Sequence, residues 1–224
     1  MREAILLLGV GCLAFMVVLS ASEFVLKERC GMSYNRNLGW FGGLFLFASV
    51  ALVYAIGKQV VDHLTWASVL LTVGSTLAYT GFTCWWERTG KGSIDSHKMF
   101  GVPPGRDGMM EKNLSHGLVK MAEIVFQQLC ALVVIKGIFQ FGLGVVATAV
   151  MFATVVCIVH LPSWRLFGPW FGRFFLYSST GLALVYPLII THYAGLGIMV
   201  AIHAATYIFW FLWLARKAKV LEGS

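Results

Sequence analysis

Seven long runs of apolar residues constrain the fold of this 224-residue chain more than any other feature. A helix that spans a bilayer needs about 20 mostly apolar residues, which is close to the length of each run. Backbone groups in lipid must also satisfy their own hydrogen bonds, so the runs predict helices. We therefore predict an all-α polytopic membrane protein, a bundle of about seven transmembrane helices. The seven runs are Ala4–Leu26, Leu38–Gly57, Thr65–Trp86, Leu114–Ile135, Ile138–Leu161, Phe171–Ile190 and Ala194–Leu214.

The composition supports membrane insertion of the chain as one unit. Hydrophobic residues make up 58% of the sequence and charged residues 12%, whereas soluble domains carry about 25% charged residues. We predict a single transmembrane domain, 1–224, with N-terminal helices and a cytoplasmic loop in 1–113. The longest polar stretch, Glu87–Asn113, is interpreted as a solvated loop because its GVPPGRDG segment lacks the spacing of a phosphate loop.

Basic residues are distributed unequally between the two sides of the predicted bundle. Arg2, Lys58 and Lys136 fall on one side, and Lys120 falls within the fourth run. The positive-inside rule makes the other side cytoplasmic, with the N-terminus outside and the C-terminus in the cytoplasm. We predict a bacterial plasma membrane as the location, with an endomembrane as the alternative. The basic residues on that side are Lys27, Arg29, Arg36, Arg88, Lys91, Lys98, Arg106, Lys112, Arg165, Arg173, Arg216, Lys217 and Lys219.

Two alternatives concern the basic residues and the N-terminus. The net charge of +7 could indicate nucleic-acid binding, but in a membrane protein it first indicates loops beside anionic lipid. We therefore expect the lipid bilayer as a partner and no nucleic acid. Residues 1–22 also resemble a cleaved signal peptide, although that orientation would place the basic loops outside. Cleavage stays open at this point.

Three ionisable residues, Glu123, His160 and His203, fall inside hydrophobic runs. A charged residue costs about 2.5–3.5 kcal/mol at a bilayer's centre, so such residues normally face the bundle interior and carry function. One glutamate and two histidines can activate a water molecule. The alternative is structural, in which the polar groups satisfy one another and lock the bundle without chemistry.

Helical spacing places further polar residues beside these three. His116, Lys120, Glu123 and Gln127 follow the spacing i, i+4, i+7, i+11, which is one face of a helix. Lys120 lies three residues before Glu123, a spacing at which the two can pair and stabilise the carboxylate. In the last run, Tyr207 lies on the same face as His203.

The C-terminal half carries three motifs at spacings typical of one protease family. Ala122–Gln128 (AEIVFQQ) corresponds to an EExxxR motif, and Val156–His160 (VCIVH), followed by Leu-Pro, corresponds to FxxxH. His203–Tyr207 (HAATY) corresponds to HxxxN. Residues 114–214 thereby resemble the core of the CAAX-protease and bacteriocin-processing (CPBP, or Abi) family of intramembrane glutamic proteases.

The resemblance implies an intramembrane, metal-independent endopeptidase that processes CAAX tails or leader peptides. It implies catalytic roles for Glu123, His160, His203 and Tyr207, with no cofactor and no metal. The family's first glutamate and second-motif histidine activate water, and the third-motif histidine and its asparagine support the oxyanion.

Four positions depart from the family's motifs: Ala122, Gln127, Val156 and Tyr207 stand where the family has Glu, Arg, Phe and Asn. Successive helical residues point in different directions, so Glu123 does not replace a carboxylate at 122 directly. Glutamine also lacks the bidentate guanidinium. These departures favour a degenerate, inactive or non-canonical relative that binds a membrane or peptide partner, such as a transmembrane helix, in its intramembrane cavity. An active endopeptidase using Glu123 and His160 is the alternative.

Two other classes fit the sequence less well. A zinc protease would be expected to carry an HExxH motif, which is absent. A retinal protein needs a buried lysine in its last helix, and the last run contains none before Arg216. The five cysteines form no CxxC pair and are interpreted as packing residues.

Overall fold

The computed structural model describes residues 1–34, 36–61, 65–88, 113–161, 163–193 and 195–222. Within these ranges the backbone forms seven long helices and no strand, so the predicted all-α membrane fold is confirmed. The helices are α1 (Arg2–Ser20, continued by the π-helical segment Ala21–Arg29), α2 (Leu38–Val61), α3 (Trp66–Arg88), α4 (Leu114–Phe139), α5 (Val145–His160), α6 (Ser163–Tyr193) and α7 (Leu196–Glu222).

Five of these helices are long and apolar enough to cross a membrane: Arg2–Arg29, Leu38–Ile56, Trp66–Arg88, Leu114–Phe139 and Leu196–Trp213. Shorter apolar stretches lie at Val145–His160 and Leu176–Ile190. Large apolar side chains also cover the outer surface, including Phe47, Val50 and Val146, which are 76%, 68% and 76% exposed. Because water would not stabilise such a surface, the chain is a multi-pass membrane protein.

The boundary between the fourth and fifth helices differs from the prediction. Ile138, predicted to begin the fifth helix, lies instead in the last turn of α4. The chain reverses at Gly142, whose φ of 75° is readily adopted only by glycine, and α5 begins at Val145. The sequence across 135–141 is IKGIFQF, in which Lys136 and Gln140 are the only polar residues, so it gives little sign of where the turn lies.

The segment LPSWRLFGPW, which lies between the fifth and sixth predicted runs, is mostly helical. α6 begins at Ser163 and continues without interruption to Tyr193. The first amides of a helix have no partner within it, so a proline immediately before Ser163 in the sequence does not prevent α6 from starting there. Most of the predicted Glu87–Asn113 loop, residues 89–112, lies outside the described residues.

α4 lies at the centre of the bundle. Within its most apolar stretch 67% of residues are buried, compared with 17–33% in the other four candidate spans. It packs against α1, α2, α3, α5 and α7, whereas α6 packs mainly on α5. Val119, Ile124, Phe126 and Leu132 on α4 are fully buried. The helix that carries Glu123 is therefore the one most shielded from lipid.

Two glycines allow α1 to approach α4 closely. A Cβ at Gly137 would lie 3.0 Å from the Ala4 carbonyl oxygen and from the Leu8 nitrogen, and a Cβ at Gly11 would meet Val134 at 2.7 Å. This is the close backbone approach that small residues permit between membrane helices. Loss of residues 1–22 would expose the α1-facing side of α4.

A hydrogen bond between helix backbone and side chain joins α3 to α7. The Gly197 amide, in the first turn of α7, donates to Ser68 Oγ on α3 at 2.8 Å. The first amides of a helix lack partners within it, so this contact satisfies one of them. It also holds the start of the His203 helix against α3.

Candidate functional site

Glu123 lies at the centre of the candidate site, surrounded by hydrogen-bond donors. Its Oε1 accepts from Lys120 Nζ at 2.9 Å and from Gln127 Nε2 at 2.8 Å. Its Oε2 accepts from the Tyr34 hydroxyl at 2.8 Å. The residue is only 6% exposed, so these three donors replace the water that would otherwise solvate the carboxylate.

Local helix geometry explains two of these donors. Asn113 caps α4, since its side chain accepts from the His116 amide at 2.8 Å. From that start Glu123 lies about 14 Å along the helix axis. Lys120 and Gln127 stand three residues before it and four after it, on the same face. Lys120 and Glu123 form the ion pair that this spacing allows.

The third donor, Tyr34, comes from the connection between α1 and α2 and was not predicted. Its ring packs edge-on against Phe41 with centroids 4.6 Å apart, and Lys27 Nζ lies 4.2 Å from its centroid. Its hydroxyl also hydrogen-bonds with Ser22 Oγ at 3.3 Å. Burial and the Glu123 carboxylate raise the pKa of Tyr34 well above its usual range. Tyr34 therefore stays protonated and donates to Glu123.

Lys120 links the Glu123 cluster to α7. Its Nζ lies 4.4 Å from the centroid of the Tyr207 ring, within the range of a cation–π contact. Tyr207 in turn stacks on His203 with ring centroids 5.2 Å apart and planes 2° apart. The predicted shared face of His203 and Tyr207 is thus confirmed, and that face points toward Lys120.

The two histidines each use Nδ1 in a hydrogen bond. His160 Nδ1 donates to the Val156 carbonyl at 2.9 Å, and its ring lies 6.0 Å from that of Phe15. His203 Nδ1 contacts the side-chain amide of Gln128, which was not predicted as a site residue. His203 lies within electrostatic range of Lys120, Glu123 and His160, so the three deep residues approach one region.

The direct partners of Glu123 differ from those that a catalytic dyad would require. Among the described residues its hydrogen bonds go to Lys120, Gln127 and Tyr34, and none goes to His160. A general base needs a lone pair within about 2.6–3.2 Å of the water that it activates. Glu123 uses three of its roughly four lone-pair positions on the protein itself. This geometry stabilises a paired carboxylate more than it prepares a base.

Two buried polar atoms beside His203 lack hydrogen-bond partners among the described residues: Gln128 Oε1 and the Tyr186 hydroxyl oxygen. The two side chains are 2% and 4% exposed and lie in contact with each other. Within the same described ranges, no three His, Cys, Asp or Glu side chains converge as metal ligands.

Comparison with known proteins gives no match: no protein-family model, no curated protein and no solved structure matches this chain. The resemblance to the CPBP family therefore rests on the three sequence motifs, and the chain itself is a multi-pass α-helical membrane protein with a buried Glu–Lys–Tyr cluster on its central helix.

Proposed function

We propose that this protein is a non-proteolytic relative of the CPBP family that binds a peptide or a transmembrane helix at the site around α4 and α7. The observation that carries the proposal is the triple hydrogen bonding of Glu123 by Lys120, Gln127 and Tyr34. A carboxylate held in this way organises the bundle and leaves the surrounding neutral groups to contact a partner.

The sequence departures support the same conclusion. Ala122 cannot supply the carboxylate that the family's mechanism uses, and Glu123 points toward Lys120 and Tyr34. Tyr207, in place of the family's asparagine, stacks on His203 and receives the Lys120 cation. The location that we propose is a bacterial plasma membrane. The uneven distribution of basic residues supports an orientation with the N-terminus outside.

A cleavage assay tests the proposal directly. The purified protein in lipid nanodiscs is incubated with a farnesylated CAAX peptide and with a leader peptide that contains a double-glycine site, and products are detected by mass spectrometry. We expect no cleavage by the wild type or by Glu123→Gln. Cleavage by the wild type that Glu123→Gln abolishes would contradict the proposal.

A matched variant controls for folding and for contaminating proteases. Glu87→Gln makes the same chemical change at an exposed position near the end of α3. Any cleavage that survives equally in Glu87→Gln and Glu123→Gln comes from a contaminant. Circular dichroism and gel filtration establish that each variant is folded and monodisperse.

The second candidate function is an active glutamic endopeptidase, favoured by the electrostatic proximity of His203 to both Glu123 and His160. In this mechanism Glu123 would accept a proton from water that His160 positions, and His203 with Tyr207 would stabilise the oxyanion. Glu123→Gln and His160→Ala would then each abolish cleavage, whereas retention of full activity in both would rule out this mechanism.

A further inference from the structure

The connection between α1 and α2, residues 30–37, sends one side chain into the bundle. Tyr34 is 8% exposed, whereas Cys30 and Arg36 are exposed. The backbone hydrogen bonds described for the connection all stay within residues 25–41. The hydrogen bond that joins the connection to α4 is made by the Tyr34 side chain.

Tyr34 lies along the polar face of α4. Its ring centroid is 6.0 Å from that of His116, near the start of the helix, and its hydroxyl donates to Glu123 Oε2 at 2.8 Å. These two residues of α4 are seven positions apart, which is about 10 Å along the helix axis. His116 is 4% exposed and Glu123 6%. The Tyr34 side chain therefore lies over this face from the beginning of α4 to the carboxylate.

Two residues of the π-helical segment Ala21–Arg29 hold Tyr34 in this position. Ser22 Oγ lies 3.3 Å from its hydroxyl, and Lys27 Nζ lies 4.2 Å from its ring centroid. Ser22 and Lys27 are five residues apart, the hydrogen-bond spacing of a π-helix, so both face Tyr34. In an α-helix, residues five apart point about 140° away from each other. Return of the segment to α-helical hydrogen bonding would therefore remove one of these two contacts.

Withdrawal of Tyr34 would leave the ion pair of α4 intact. Lys120 and Gln127 both donate to Glu123 Oε1 from the same helix, and neither contact involves the connection. Oε2, by contrast, would lose its donor and become an acceptor for another hydroxyl or N–H group. Glu123 thus stays paired in both arrangements, and Tyr34 decides whether its second oxygen is available.

We propose that Tyr34 is an intramolecular plug that occupies the approach to Glu123, so that a peptide or transmembrane helix binds only after the connection withdraws. The partner then supplies the hydrogen-bond donor to Oε2. This inference rests on the proposed binding function and names how access to the same site is regulated.

The test measures how often Tyr34 leaves α4. His116→Cys places a thiol beside the Tyr34 ring and keeps all three donors to Glu123. The protein in lipid nanodiscs is treated with a water-soluble cationic methanethiosulfonate reagent, and the labelling rate of each cysteine is followed by peptide mass spectrometry. When opening and closing are fast relative to labelling, this rate is proportional to the population of the open form.

We expect a graded series of rates at position 116. Tyr34→Phe should raise the rate at least about tenfold, because it keeps the ring and removes a hydrogen bond to a charged group. Lys27→Ala should raise it about two- to fivefold, the effect of one cation–π contact, in a protein whose Glu123 cluster is intact. Tyr54→Phe, at a residue that is 92% exposed, should leave the rate unchanged.

Two native cysteines serve as references within each sample. Cys30 is exposed and should label quickly in every variant, whereas Cys130, buried on α4, should stay unlabelled. An unchanged rate at position 116 in Tyr34→Phe or in Lys27→Ala would overturn the proposal. Labelling at position 116 as fast as at Cys30 with Tyr34 in place would overturn it, since the site would already be open. A parallel gain at Cys130 would also overturn it, because Tyr34 would then stabilise the whole bundle.

This readout is independent of proteolysis. A positive cleavage assay would therefore overturn the proposed function and leave the labelling result unaffected. An unchanged labelling rate together with a negative cleavage assay would overturn the plug alone.

Discussion

Replacement of Tyr34 by phenylalanine tests the central contact of the structure. The substitution removes the hydroxyl that donates to Glu123 Oε2 at 2.8 Å and that contacts Ser22 Oγ at 3.3 Å. It keeps the ring, and therefore the edge contact with Phe41 and the Lys27 cation above it. Any change in stability thus reports on the hydroxyl.

The charge of the acceptor, the Glu123 carboxylate, decides how much stability the loss of this hydrogen bond should cost. Hydrogen bonds between neutral side chains in membrane proteins contribute about 0.6 kcal/mol on average, whereas bonds to charged groups contribute about 1.5–3 kcal/mol. Glu123 is a buried carboxylate paired with Lys120, so the second range applies. We expect Tyr34→Phe to lower the free energy of unfolding by about 2 kcal/mol.

Reversible unfolding in mixed SDS and lipid micelles, followed by tryptophan fluorescence, measures this change. Tyr54→Phe is the matched control, because Tyr54 is 92% exposed and should change stability by less than about 0.5 kcal/mol. A double-mutant cycle with Glu123→Gln isolates the pair. A loss below about 0.5 kcal/mol, or the same loss in the Glu123→Gln background, would refute the assignment of Tyr34 as a donor to Glu123.

Three further predictions concern the ion pair, the α1–α4 contact and pH. Lys120→Met should lower the free energy of unfolding by about 3 kcal/mol, because it leaves the buried Glu123 carboxylate without its cation. Adding Glu123→Gln should recover part of that loss. A double variant less stable than Lys120→Met alone would contradict this prediction. Gly137→Ala should lower the free energy of unfolding by about 1–3 kcal/mol, because its Cβ would meet backbone atoms of α1 at 3.0 Å. Gly9→Ala should leave it unchanged, since a Cβ there has nothing within 4 Å. Equal effects of the two substitutions in unfolding titrations would refute the close crossing of α1 and α4. Because the pKa of Tyr34 is raised in the folded protein, the contribution of its hydroxyl to stability is complete below the ordinary tyrosine pKa of 10.0 and falls above it. Unfolding free energies measured from pH 9 to 11 should therefore decline more steeply in the wild type than in Tyr34→Phe. Parallel curves would contradict the raised pKa.

Local helical periodicity explains which parts of the site were predictable. Lys120, Glu123 and Gln127 were expected on one face of α4 because a helix brings residues three and four apart together, and their hydrogen bonds confirm it. The same rule paired His203 with Tyr207. In both cases the relevant geometry is contained within about two turns of a single helix.

Contacts between distant segments could not be read in this way. Tyr34 reaches Glu123 across 89 residues of sequence, and Gln128 reaches His203 across 75. No local pattern marks Tyr34, which lies in a polar connection between two apolar helices. Two predicted helix starts were also wrong. Ile138 lies within α4, because mostly apolar sequence continues up to the turn, and α6 starts at Ser163 rather than Phe171, because a proline can precede a helix.

The amino-acid sequence by itself determined that this protein is a multi-pass helical membrane protein with ionisable residues inside its apolar runs. The reason is that a chain in lipid has few ways to satisfy the hydrogen bonds of its backbone N–H and C=O groups. Only the tertiary structure decided what those residues face. The packing of α1 against α4 brings Tyr34 to the Glu123 carboxylate, so this glutamate receives its third hydrogen bond from a loop rather than from a water molecule held by His160. Which group donates this third hydrogen bond depends on how the helices pack against one another, and the spacing of residues along one helix does not specify that packing.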